Sequence, residues 1–112
     1  MNEKHREAES LAARAAIVRG KGRIADALEL YGRAADAECE ALLSVPSDKS
    51  RTLSVLSLSA VSLLYKAERF DEAERRALQL LGSETLEDWA ERQLRELLQV
   101  ISDTKGELGG PK

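Results

Sequence analysis

The chain has 112 residues, of which 43% are hydrophobic and 33% charged, and this composition predicts a single domain with a core of its own. Its formal net charge of −3 provides no basic excess of the kind that attracts nucleic acid or an anionic membrane surface. The sequence has no apolar run of about 18 residues, and its single cysteine, Cys39, excludes an internal disulfide. The polar N-terminus, MNEKHREAES, is not expected to act as a secretory signal, so we expect a cytoplasmic protein.

Residues that favour helices dominate the chain, and breakers divide it into helical segments. The first helix is predicted over about 3–19 and ends at the glycines that follow it. The second is predicted over about 23–44 and ends at the loop SVPSDKS, in which Pro46 removes a backbone donor. Ser47 or Asp48 in this loop is expected to cap the next helix.

The third segment, 53–67, differs from the others because it is apolar most of the way round. Residues 53–59 nearly alternate apolar residues with serines, which is also the pattern of a strand. The apolar run is too long for a strand, however, and holds too few β-branched residues. We therefore predict a helix that forms the centre of the fold.

Capping signals and glycines bound the last two predicted helices. Asp71 and Glu74 have the spacing of a capping box, so the fourth helix is predicted to start near Asp71 and to stop at Gly82. The fifth is predicted to begin after Ser83 and to end at Gly106, which leaves 106–112 as a flexible tail. Residues 1–105 are thus predicted to form one all-α domain of about five antiparallel helices.

A pattern of small and apolar residues occurs twice, each time directly after a predicted break between two helices. The two stretches are GKGRIADALELYGRAADAE and AERFDEAERRALQLL. The shared positions are Ile24, Ala27 and Tyr31 in the first stretch and Phe70, Ala73 and Ala77 in the second. This pattern resembles the second half of a tetratricopeptide repeat, in which a glycine ends helix A and helix B presents small residues to it. Gly22 occupies the glycine position in the first copy, and Glu68 replaces it in the second.

The resemblance implies two tetratricopeptide-like helical hairpins and a C-terminal capping helix. The copies lie 46 residues apart, whereas the family's repeat has about 34 residues. In such arrays the A helices line a groove that binds a partner's peptide or helix. Carried over to this chain, the groove residues are Ala12, Ala16, Arg19, Leu58, Ser62, Tyr65 and Lys66. Tyr65 would be the anchor of this apolar groove, with Arg19 and Lys66 at one rim.

Two alternatives remain open at the level of sequence. The segment GRIADALELY is also similar to the microtubule-interacting-and-trafficking domain, a three-helix bundle that grips partner helices. The groove of a tetratricopeptide-like array could also be filled by the fifth helix or by a second copy of the chain. In that case the protein would be a self-associating, homodimeric structural bundle without a peptide groove.

The ionisable residues predict no enzymatic chemistry. The only histidine, His5, falls in the polar first turn and is expected to be exposed. Cys39 lies between Glu38 and Glu40, whose charges are expected to raise its pKa and so to keep it from acting as a nucleophile. We therefore expect a non-enzymatic adaptor or scaffold with no metal, no cofactor and no nucleic-acid or membrane partner. Its partner would be another protein or a second copy of itself.

Overall fold

The computed structural model describes residues 2–109, and within this range it contains five α-helices and no strand. The helices are α1 (Glu3–Gly20), α2 (Ile24–Leu43), α3 (Ser50–Lys66), α4 (Phe70–Gly82) and α5 (Asp88–Gly109). The predicted all-α fold of about five helices is confirmed. None of the described helices is both long and apolar enough to cross a membrane.

Each helix packs against the next one along the chain, and α5 also packs against α3. The helices alternate in direction, so α1, α3 and α5 run parallel to one another while α2 and α4 return between them. The shortest dimension of the molecule is 18 Å, which is about two helix diameters. Because α3 contacts α2, α4 and α5, the prediction that it forms the centre of the fold is confirmed.

Small residues at the helix crossings allow this close packing. Ala27 and Ala73, the alanines shared by the two sequence copies, are both fully buried, and so is Ala77. The largest fully buried apolar side chains, Leu64 and Leu94, lie on α3 and α5. An alanine at a crossing lets the neighbouring helix approach, and the larger leucines fill the space beyond it.

The two hairpin turns have the same backbone geometry, although only one of them holds a glycine. Gly22 has φ 82° and Glu68 has φ 62°, so both adopt the left-handed conformation. In each turn the amide of this residue donates to the carbonyl three residues back, and the next amide donates to the carbonyl five residues back. These bonds are Gly22 N to Arg19 O, Arg23 N to Val18 O, Glu68 N to Tyr65 O and Arg69 N to Leu64 O. This is a Schellman-type helix end, and it repeats at the interval seen in the sequence.

The predicted capping residues of α3 and α4 do not cap. The helix α3 starts at Ser50 and α4 at Phe70, and the residue that precedes each makes no side-chain capping bond. Asp71 and Glu74 instead both bind Lys105 of α5, at 2.7 and 2.8 Å. Asp71 lies inside the first turn of α4 rather than at its N-cap, because the helix starts one residue before it.

The fifth helix is shifted toward the C-terminus relative to its prediction. It starts at Asp88 rather than after Ser83, since Glu84 has φ 57° and the amide of Glu87 donates to the hydroxyl of Ser54 at 2.9 Å. It also continues through Gly106 to Gly109, because a glycine weakens a helix without ending it unless it turns left-handed. Residues 106–109 of the predicted flexible tail are therefore helical, while 110–112 lie outside the described residues.

Candidate functional site

A groove runs between α1 and α3, which barely touch each other. Residues spaced by three or four positions on each helix form its walls, since such spacing places side chains on one helix face. Three cavities lie along it, with volumes of about 320, 180 and 350 Å³. We name them, in order from the start of α1, the N-terminal, middle and aromatic cavities.

The N-terminal and middle cavities succeed one another along the same two helices. Asn2 and His5 face Val55 across the N-terminal cavity. The middle cavity lies further along and has α2 as its floor. Its main lining residues are Ala8, Glu9, Ala12, Glu38, Ser62 and Lys66. Lys66 also lines the aromatic cavity, so the middle and aromatic cavities adjoin.

The aromatic cavity gathers three of the four aromatic residues of the chain, Tyr31, Tyr65 and Phe70. The rings of Tyr65 and Phe70 meet edge to face with their centroids 5.5 Å apart. Nζ of Lys66 lies 5.9 Å from the centroid of the Tyr31 ring, which is within cation–π range. Arg19 and Glu68 complete the wall, so the cavity combines apolar rings with two cations and one carboxylate.

A buried carboxylate forms the floor of the middle cavity. Glu38 is only 1% exposed, and its Oε1 accepts a hydrogen bond from Nδ1 of His5 at 2.8 Å. Nε2 of the same imidazole lies 3.5 Å from the carboxylate of Glu9. The other oxygen of Glu38, Oε2, has no hydrogen-bond partner within residues 2–109. A histidine–glutamate pair also occurs in catalytic triads, but here Nε2 faces a carboxylate rather than a hydroxyl nucleophile.

The structure brings five of the seven predicted groove residues to these cavities. Ala12, Ser62 and Lys66 line the middle cavity, and Arg19 and Tyr65 line the aromatic cavity together with Lys66. Ala16 is exposed and Leu58 is half-buried against the core, and neither lines any of the three cavities. The side chain of Leu58 packs partly against the core.

The side chain of Tyr65 is held by contacts within the protein, whereas the anchor residue of an open groove would be available to a partner. Its hydroxyl is 3.0 Å from Oγ1 of Thr104 on α5, and its ring packs on Phe70. The helix α5 itself packs against α3 and α4, and no α5 residue lines the three cavities. The fifth helix therefore does not fill the groove.

Sequence reasoning missed the roles of His5 in the N-terminal cavity and of Glu38 in the middle cavity. The prediction that His5 is exposed is wrong: its side chain is 28% exposed and holds Glu38. The sequence prediction assigns Glu38 no role beyond its charge next to Cys39. One signal could have found it, because Glu38 continues the buried face of α2 at the spacing of Ala34 and Ala41.

The thiol of Cys39 has a raised pKa, as predicted, but for a different reason. Burial of the half-buried side chain is the main cause, and the charges of Glu72 and Asp36 add to it, while Arg76 opposes it. The neighbours along the chain, Glu38 and Glu40, are not the cause, since helix geometry turns adjacent side chains to different faces.

No protein-family model, curated protein or solved structure matches this chain. The tetratricopeptide resemblance therefore stays a prediction from the sequence. The fold does contain an internal repeat, since the turns at Gly22 and Glu68 have the same backbone geometry. Within residues 2–109 no group of three or more histidine, cysteine or acidic side chains is arranged to hold a metal ion.

Proposed function

We propose that the chain is a non-enzymatic, tetratricopeptide-like adaptor that binds a segment of a partner protein in the groove between α1 and α3, and that it acts in the cytoplasm. The row of three adjoining cavities carries this proposal. His5 and Arg19, which mark the two ends of the row on α1, are 14 residues apart. This distance is about 21 Å along a helix at roughly 1.5 Å per residue, or about six residues of an extended peptide.

The aromatic cavity is the best anchor point for such a segment. Tyr31, Tyr65 and Phe70 provide apolar surface that a large side chain can cover, and aromatic residues are enriched among binding hot spots. Arg19 and Lys66 place two positive charges beside these rings, against the single negative charge of Glu68. The segment that fits this end of the groove therefore carries an apolar anchor next to an acidic residue.

A peptide selection with charge-reversal variants tests the proposal. Peptides from a random displayed library are enriched on the wild-type protein, and their dissociation constants are measured by fluorescence anisotropy. Arg19→Glu and Lys66→Glu are expected to weaken binding about tenfold or more, as for a lost charge-assisted hydrogen bond. Arg14→Glu is the matched control, because Arg14 lies exposed on α1 but lines a cavity on the opposite side.

These variants separate binding from folding better than Tyr65→Ala does. Because Tyr65 contacts Thr104 and Phe70, its removal is expected to destabilise the fold whether or not a partner binds. Failure to enrich any peptide, or equal affinity in the control and the groove variants, would contradict the proposal.

A self-associating helical bundle is the second candidate. It is favoured by large apolar side chains that stay exposed outside the groove, namely Leu78 on α4 and Val100 and Leu108 on α5. Light scattering over a dilution series distinguishes the two functions. A monomer at all concentrations argues against the bundle, whereas a stable dimer that binds no peptide supports it.

A further inference from the structure

Glu38 lines the middle cavity, and one of its carboxylate oxygens, Oε2, is buried without a hydrogen-bond partner within residues 2–109. We infer that Glu38 receives a cationic side chain, lysine or arginine, of the bound segment, an inference that rests on the groove being a partner site as proposed above. Glu38 would then determine specificity at a position next to the aromatic anchor.

The first support is the hydrogen bonding of Glu38. Oε1 is held by His5 at 2.8 Å, so the orientation of the carboxylate is fixed. Oε2 is buried and has no hydrogen-bond partner within residues 2–109. Buried polar atoms almost always have a partner, and a charged acceptor left alone is especially unfavourable. A cation donor entering the middle cavity would supply the missing hydrogen bond.

The second support is the shape of the cavity. Small side chains at Ala8, Ala12 and Ser62 leave a space of about 180 Å³ above Glu38. This volume corresponds to about six water molecules at ~30 Å³ each, which is enough for an ammonium or guanidinium group with part of its aliphatic stem. The alanines suit the stem, and the Ser62 hydroxyl offers a further acceptor to the head group.

The third support is the local charge. Two carboxylates, Glu9 and Glu38, line the middle cavity, together with one cation, Lys66. The ammonium of Lys66 is 5.9 Å from the centroid of Tyr31, on the side of the aromatic cavity. The charged side chains that line this cavity therefore sum to one negative charge, which favours a cation and disfavours a phosphate or an acidic side chain.

The inference is tested with a small cation and its neutral isostere. Ethylguanidinium and ethylurea are titrated separately into the protein at the same pH. Amide chemical shifts are followed by two-dimensional NMR. We expect saturable shifts from ethylguanidinium, in the weak range normal for fragments, centred on Ala8, Ala12 and Ser62. Ethylurea is expected to cause none.

Variants identify the group responsible. Glu38→Gln keeps the shape and removes the charge, and it is expected to abolish the ethylguanidinium shifts. Glu40→Gln is the control, since Glu40 lies exposed on the same helix and pairs with Lys4. Ser62→Leu keeps the pair of Glu38 and His5 but fills the cavity, so it tests the site even if Glu38→Gln fails to fold.

Peptides enriched on the wild-type protein connect the cavity to the partner. They are expected to share a lysine or arginine, and Glu38→Gln is expected to weaken their binding about 10- to 100-fold, the usual loss for a charge-assisted hydrogen bond. Peptides that bind equally well to Glu38→Gln, or equal shifts with ethylurea, would overturn the inference and leave the groove proposal standing. If ethylguanidinium binds but no peptide is enriched, the groove proposal is overturned, and so is the inference that Glu38 receives a lysine or arginine of a partner. Glu38 would then be a site for a free organic cation.

Discussion

The turn between α3 and α4 contains a residue that its conformation disfavours, and replacing it should stabilise the protein. Glu68 has φ 62°, the conformation that Gly22 adopts in the equivalent turn. A residue with a Cβ is disfavoured there by about 1–2 kcal/mol. Glycine loses about 0.5–1 kcal/mol more than other residues when its backbone is ordered. We therefore expect Glu68→Gly to raise the free energy of unfolding by about 0.5–1 kcal/mol.

Replacing the glycine of the first turn, Gly22, should lower the free energy of unfolding. A Cβ placed on Gly22 would meet no heavy atom within 4 Å, so Gly22→Ala causes no steric clash. It changes only the free energy needed to hold the backbone in the left-handed conformation. We expect this variant to lose about 1 kcal/mol. Glu68→Ala is the control at the second turn, because it removes the carboxylate without relieving the backbone, and it should leave stability nearly unchanged.

Thermal and urea denaturation followed by circular dichroism measure these differences. For a domain of this size, a gain of 0.5–1 kcal/mol corresponds to a rise in Tm of about 2–5 °C. If Glu68→Gly is neutral or destabilising, the left-handed backbone at Glu68 is not strained. If Glu68→Ala stabilises as much as Glu68→Gly, charge repulsion involving the side chain is the cause, and the backbone explanation is refuted.

Three further expectations follow from buried or paired side chains. Hydrogen bonding to Lys105 lowers the pKa of Asp71 from 3.8, so the pair stabilises the fold fully above about pH 3.8 and this contribution is lost as the pH falls through the lowered pKa. Lys105→Gln should therefore have a lower Tm than wild type at neutral pH, and the two Tm values should approach each other in acid. A Tm difference that does not change with pH would contradict this. Because burial raises the pKa of Cys39, its thiol should react with Ellman's reagent more slowly than free cysteine at the same pH, and at the same rate once urea unfolds the chain. Ala73→Leu should cost about 1–3 kcal/mol by overpacking a fully buried crossing, whereas Ala13→Leu on the exposed face should stay within about 0.5 kcal/mol of wild type in urea denaturation.

Local features of the fold could be predicted because short-range physics determines them. The spacing of Ala27 and Tyr31 defined the buried face of α2, and Gly22 marked the turn before it. The matching spacing at Ala73 revealed the second hairpin even though Glu68 stands in place of a glycine. Residues that are close in sequence and repeat at helical intervals share a face in any helical fold, so their burial follows without a three-dimensional structure.

Features that depend on distant partners could not be predicted. Asp71 has the sequence spacing of a cap, but α4 starts before it, and the carboxylate pairs with Lys105, which is 34 residues away in the sequence. His5 and Glu38 are 33 residues apart, and only the antiparallel packing of α1 on α2 brings them together. The middle cavity depends on this pair, and so the sequence indicated the walls of the groove without its charged floor.

The difference between the two sides of α3 explains why the groove lies next to α1 and not next to α5. Hydrogen bonds join α3 to α5 near both ends, from the amide of Glu87 to the Ser54 hydroxyl and between Tyr65 and Thr104. The side-chain hydrogen bonds of α1 instead reach α2 and the residue after it, through Asn2 and His5. Since α1 packs mainly against α2, the space between α1 and α3 stays open.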